Sequence, residues 1–143
     1  MKVVIGSDHA GFERKEFIIN WLESNGYEVV DKGTYSDASV DYPDYAHQVA
    51  LEVQNKNADH GVLICGSANG VAMSANKHSN VRAALCWEAE IASLARLHND
   101  ANVCCIPARF INEAKTVAIL VAYFSAKFEG GRHEKRVNKI ACS

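Results

Sequence analysis

An α/β fold, with a parallel sheet covered by helices on both faces, is predicted by two features of the sequence. Short β-branched apolar runs end in small or turn-forming residues, and each is followed by a segment whose apolar residues recur at helical spacing. This alternation runs through the chain, and right-handed crossovers then bring the strands side by side. The 143 residues suffice for one domain over positions 1–143, which can bury roughly two thirds of its unfolded surface around a single core.

Val3-Val4-Ile5 forms the first strand and ends at Gly6. Phe12, Phe17, Ile18, Trp21 and Leu22 then mark a helix from Phe12 to Asn25, closed by Gly26. Tyr27 to Asp31 is the second strand. It is followed by the longest loop, Lys32 to Asp44, which holds Gly33, Ser36, Asp37, Ser39 and Pro43; long loops in compact domains are often functional. Tyr45 to Asn55 reads as a helix, Gly61 to Cys65 as a buried strand and Gly70 to Asn76 as the next helix. Strand Arg82 to Cys86 leads into helix Glu88 to His98, and strand Val103 to Ile106 into helix Ile111 to Phe124. Gly130-Gly131 sets off a last basic segment.

Hydrophobic residues make up 48% and charged residues 22%, the balance of an ordinary globular protein. A formal net charge of −2 supplies no general positive field for nucleic acid or an anionic membrane, so any anion site is local. The cysteines Cys65, Cys86, Cys104, Cys105 and Cys142 are odd in number and form no CxxC pair, and no signal-peptide pattern precedes them. They read as free thiols in a reducing, cytoplasmic compartment. The longest apolar runs fall well short of the ~20 residues that cross a bilayer.

Parallel sheets bind ligands outside the carboxyl ends of their strands. Attention therefore falls on Ser7 to Gly11, on Lys32 to Asp44, on Gly66 to Gly70, and on the segments near His98-Asn99 and Arg109. Gly66-Ser67-Ala68-Asn69-Gly70 lies between a strand and a helix, where small residues let backbone amides approach an anion; a plain tight turn has the same composition. A P-loop is excluded, because Phe12-Glu13 stands where Lys-Ser/Thr is needed after Gly6 and Gly11. The first loop also lacks the middle glycine of the dinucleotide fingerprint, which leaves Asp31 as a strand-end residue.

Cys65 ends the third strand beside the small-residue loop, either as an inert packing residue or as a thiol whose ionisation is favoured by neighbouring amides. Cys86, Cys104 and Cys105 belong to strand packing, and Cys142 to a solvated tail. Asp8-His9 pairs a carboxylate with an imidazole at the ligand edge, and a turn with a capping role is the alternative. His98-Asn99-Asp100 follows a helix, where a histidine also complements the helix dipole. Arg132, Arg136 and Lys139 share one helical face, as a solvated surface or as a clamp in which the arginines grip a phosphate.

Taken together, VVIGSDHAGF, DKGTYS with DYPDYA, LICGSANGVAMSANK, LARLHNDANV and FEGGRHEKRV resemble the ribose-5-phosphate isomerase B family of sugar-phosphate isomerases, in family order and over about residues 3 to 137. The resemblance implies a Rossmann-like three-layer α/β/α sandwich with a five-stranded parallel sheet. It implies a homodimer or a tetramer of dimers whose active sites are shared between subunits, with the segment of about 127–143 reaching a partner, and neither metal nor organic cofactor. The activity it implies is the interconversion of ribose 5-phosphate and ribulose 5-phosphate, with allose 6-phosphate or galactose 6-phosphate as alternative substrates.

By position, Cys65 resembles the family's catalytic base. Some relatives use a glutamate at the start of the next helix, and Asn69 to Val71 offers none here. Ser67 would bond the reacting oxygens, Asp8 and His98 would handle ring opening with Tyr42 nearby, and Asn99 would bind sugar hydroxyls. His9, Arg109, Arg132 and Arg136 resemble the phosphate-binding set, with Gly66 and Gly70 in the amide loop. Many relatives have glycine at Ala68, so the loop backbone is expected to differ slightly there. Two other classes stay open on the residues alone: a non-catalytic sugar-phosphate-binding module, and a thiol hydrolase with Cys65 as nucleophile and His98 as base.

Overall fold

Each apolar run is followed by a helix that carries the chain back to the sheet's starting edge, so the strands can only pair in parallel. The structure is a computed structural model that describes residues 1–142; Ser143, at the end of the segment 127–143, lies outside the described residues. Strands β1 (Lys2–Ser7), β2 (Glu28–Asp31), β3 (His60–Cys65), β4 (Ala83–Leu85) and β5 (Val103–Pro107) form one sheet in the order β2-β1-β3-β5-β4. All four pairings are parallel.

Alternation along the strands sends successive side chains to opposite faces. Val3 and Ile5 of β1, with Val62 and Ile64 of β3, pack under α1 (Phe12–Ser24), α4 (Ala89–Asn99) and α5 (Glu113–Ser125). Val4, Leu63 and Cys65 turn to the other face, under α2 (Tyr42–Gln54) and α3 (Asn69–Ala75). Three layers result, as expected. Cys86, Cys104 and Cys105 are fully buried and all five cysteines are free, with Cys142 exposed. No helix among the described residues is long and apolar enough to cross a membrane.

The helix after the long loop starts at Tyr42, three residues before the sequence places it, with Pro43 in its first turn. Proline fits there because the first amides of a helix have no intrahelical acceptor. A short helix α6 (Arg132–Val137) follows Gly131, and Lys139 lies just beyond it.

The order of the strands decides where a ligand can sit. From β1 the chain crosses to β2 on one side, and from β3 it crosses toward β4 and β5 on the other. The crevice between the carboxyl ends of β1 and β3 is therefore the topological switch point.

Candidate active site

The residues that leave β1 and β3 converge on that crevice. A cleft of ≈ 570 Å³ is lined by Asp8, His9, Ala10, Tyr42, Cys65, Gly66, Ser67, Gly70, Arg109 and Phe110. Cys65 is only 5% exposed, but it lies on the cleft wall, so its thiol is covered without being sealed off.

The loop after β3 is built around this sulfur. The amide of Ala68 donates to Cys65 Sγ at 3.1 Å, and that of Asn69 donates to Ser67 Oγ at 3.3 Å. One amide, rather than several, thus touches the sulfur. The amides of Gly66, Ser67 and Gly70 have no internal acceptor among the described residues and are the loop's available donors. Ala68 is fully buried and holds φ at 64°, a left-handed conformation that glycine adopts more readily. Alanine therefore takes up the strained turn itself.

Gly66 and Gly70 are small for identifiable reasons. A Cβ on Gly66 would lie 3.1 Å from Arg109 Cδ, and a Cβ on Gly70 would fall on the ring of Tyr42. The Arg109 amide bonds Gly66 O at 3.1 Å, which draws the guanidinium across the loop. Phe110, 76% exposed, forms the adjoining wall and was not singled out in the sequence; its only signal is adjacency to Arg109.

Asp8 satisfies both sequence readings. Its Oδ1 caps the short turn His9–Gly11 by accepting from Gly11 N at 3.1 Å, while the residue also lines the cleft. His9 Nδ1 accepts from Val40 N at 3.2 Å, so in its neutral form the proton resides on Nε2. That bond also ties the long loop to the site.

His98, Asn99, Arg132 and Arg136 do not join this cleft. In a parallel sheet the helices run back, so the end of α4 lies at the amino-terminal edge of the strands, opposite the edge that carries Cys65. Cys65 is level with Pro107, the last residue of β5, whereas His98 precedes the start of β5. Four residues of strand rise separate the two levels by roughly 13 Å. The expectation that His98-Asn99 shares an edge with Asp8 within one chain is thereby corrected: these residues end a helix and do not follow a strand. His98 instead meets the C-terminal segment. Its Nε2 lies 3.2 Å from Glu129 Oε1, and its ring stacks on that of His133 at 4.1 Å and 14°. Partial burial, then His98 and Arg132, lower the His133 pKa from its usual value. Arg132 and Arg136 are exposed on α6, where Arg136 Nη1 donates to Arg132 O at 3.3 Å.

Comparison with known proteins shows the family. The family model described as Ribose/Galactose Isomerase matches residues 3–140. Ribose-5-phosphate isomerase B of Escherichia coli is 44% identical over 139 residues, covering 97% of this chain and 93% of that protein. The crystal structure of a ribose 5-phosphate isomerase from Thermotoga maritima superposes with a TM-score of 0.95 at 47% identity, covering 97% of this chain and 96% of that one. Ribose-5-phosphate isomerase B from Mycoplasma genitalium, with bound ribulose 5-phosphate, gives a TM-score of 0.93 at 44% identity over 97% of this chain and 93% of that one. With nearly every residue matched in sequence and in space, the chain belongs to the ribose/galactose isomerase family.

Proposed function

We propose that this protein interconverts ribose 5-phosphate and ribulose 5-phosphate, with Cys65 moving a proton between C1 and C2 of the opened sugar. The observation that carries the reading is the position of Cys65: a rigid strand end, on the wall of a cleft that also presents Asp8, Ser67, His9 and Arg109. Its relative with bound ribulose 5-phosphate supports a five-carbon substrate.

The reaction has three demands. Ring opening needs a donor and an acceptor at the ring and anomeric oxygens; Asp8 is in the cleft, and His98 is to be supplied from elsewhere. Proton transfer needs one base that reaches both carbons, the role given to Cys65. The resulting cis-enediolate places negative charge on oxygen, and the amides of Ser67 and Gly70 with the Ser67 hydroxyl suit it, each donor being worth ~3 kcal/mol. Phosphate held by His9 and by Arg109 fixes the reacting carbons in place.

A second copy of the chain completes the site. Asp8 and Cys65 lie at one edge of the sheet and His98, Asn99, Arg132 and Arg136 at the other. A two-fold dimer that lays the α4–α6 end of one protomer over the cleft of its partner brings the whole set together, with segment 127–142 crossing between subunits. Five free thiols fit a cytoplasmic setting. The test is a direct assay without added metal, comparing kcat/KM for ribose 5-phosphate, allose 6-phosphate and galactose 6-phosphate. Preference for the pentose supports the reading, and absence of turnover on all three refutes it.

A further inference from the structure

Away from the cleft, two imidazoles and a carboxylate converge at the end of α4. The ligating atoms of His98, Glu129 and His133 all lie within 4.8 Å of one another. We infer that these three side chains form a binding site for a divalent transition-metal ion such as Zn²⁺, and that filling it inhibits the enzyme by capturing His98. The inhibitory half rests on the reading of His98 as a ring-opening residue; the binding half does not.

Two histidines and one glutamate make a recurrent zinc ligand set, with a fourth position left for water. One pair of ligands is already at zinc spacing. Zinc bonds of about 2.0–2.1 Å place tetrahedral ligands about 3.3 Å apart, and His98 Nε2 already lies 3.2 Å from Glu129 Oε1. The His133 ring is stacked against His98, partly covered on a surface helix, with a ligating nitrogen within 4.8 Å of the other two ligating atoms, and it has to turn out of the stack to share the ion.

The fold holds the three residues together. The Glu129 amide donates to Leu97 O at 3.0 Å, which pins Glu129 beside the next residue of α4, His98. Gly130 and Gly131, with φ of 68° and 54°, then turn the chain so that His133 comes back over the His98 ring. The neighbouring Arg132 and Arg136 disfavour a cation, and the Glu129 carboxylate offsets them. A softer, imidazole-binding metal is accordingly favoured over Mg²⁺ or Ca²⁺, which take oxygen ligands. A metal on His98 Nε2 removes that lone pair from acid/base use.

The test uses the full chain stripped with chelator, titrated with zinc chloride by calorimetry and assayed in parallel. One zinc per chain is expected in the wild type and in Cys65→Ser and Cys142→Ser, which removes thiols from consideration. His133→Ala and Glu129→Gln should each weaken binding by about tenfold or more. Isomerase activity should fall in step with occupancy and return on adding chelator, with His133→Ala needing correspondingly more zinc for the same fractional loss. Unchanged affinity in both variants, or no zinc bound by the wild type, overturns the site. Full activity at full occupancy overturns the inhibition and leaves the site standing. A metal-free chain that isomerises none of the sugar phosphates defeats the proposed function, while calorimetry still decides the metal site.

Discussion

The Ala68 amide donates to Cys65 Sγ at 3.1 Å, and the same residue holds φ at 64°. The peptide before Ala68 aims its N–H at the sulfur, and the left-handed angle then reverses the chain that follows. Ala68 is also the N-cap of α3, so the amide that meets the thiol and the turn that starts the helix belong to one residue.

Ala68→Gly should therefore stabilise the protein. Left-handed geometry costs a non-glycine residue about 1–2 kcal/mol, against which glycine loses about 0.5–1 kcal/mol of unfolded-chain entropy. The net gain is about 0–1.5 kcal/mol, a rise in Tm of up to about 6 °C for a chain this size. Thermal unfolding checks it, and a lowered Tm counts against the strain argument.

Gly70→Ala should destabilise by about 1–3 kcal/mol through overpacking against Tyr42, although alanine is the better helix former by about 1 kcal/mol. Since the added Cβ meets the Tyr42 ring, the same change made in a Tyr42→Ala background should become neutral or stabilising. Denaturant unfolding of the four proteins measures this coupling, and equal effects in both backgrounds would show that the ring is not the obstacle.

Acid should weaken the fold through His60. Burial first, and then Arg96, hold its pKa down to about 4 from 6.5, while its Nδ1 sits 2.9 Å from the Tyr123 hydroxyl. Tyr123 donates to Ala101 O at 3.0 Å, so its oxygen is left to accept from a neutral His60. Below 6.5 the unfolded chain binds a proton that the folded chain refuses, so stability is lost as pH falls from about 6.5 to about 4 and no further from this group. The loss approaches about 3 kcal/mol. His60→Gln should flatten that part of the stability profile; an unchanged slope would assign it to other groups.

Much of the cleft was legible because it follows from chain order. Cys65, Gly66 and Asp8-His9 each end a strand, and a parallel sheet puts all strand ends on one edge. His98 and the arginines of α6 were recognisable as chemistry but not as geometry, since a residue after a helix lands on the opposite edge. Likewise, Tyr42 reads as loop until Pro43 is seen as a first-turn residue. The meeting of Glu129 with His98 depends on a long-range bond to Leu97 O and two left-handed glycines, which no local pattern announces.

Shared sites predict complementation. Cys65→Ala and His98→Ala should each be nearly inactive alone. After mixing and subunit exchange, half of the dimers are hybrids with one intact site of two, so activity should recover to about a quarter of the wild-type value. No recovery despite demonstrated exchange would place both residues in the same protomer's site or remove His98 from the reaction.

Arg136→Ala should raise KM chiefly, because it loses phosphate grip with the reacting groups in place. Steady-state kinetics on ribose 5-phosphate decide this, and an unchanged KM takes Arg136 out of the clamp.

The central claim is that the Cys65 sulfur carries the proton. Solvent deuterium entering the sugar at C1 or C2 during turnover in heavy water reads that transfer directly, in the wild type and in Cys65→Ala. The variant should still bind ribose 5-phosphate, while exchange and isomerisation both fall by about 10²- to 10⁴-fold. Exchange and isomerisation at near wild-type rates in Cys65→Ala would contradict the account.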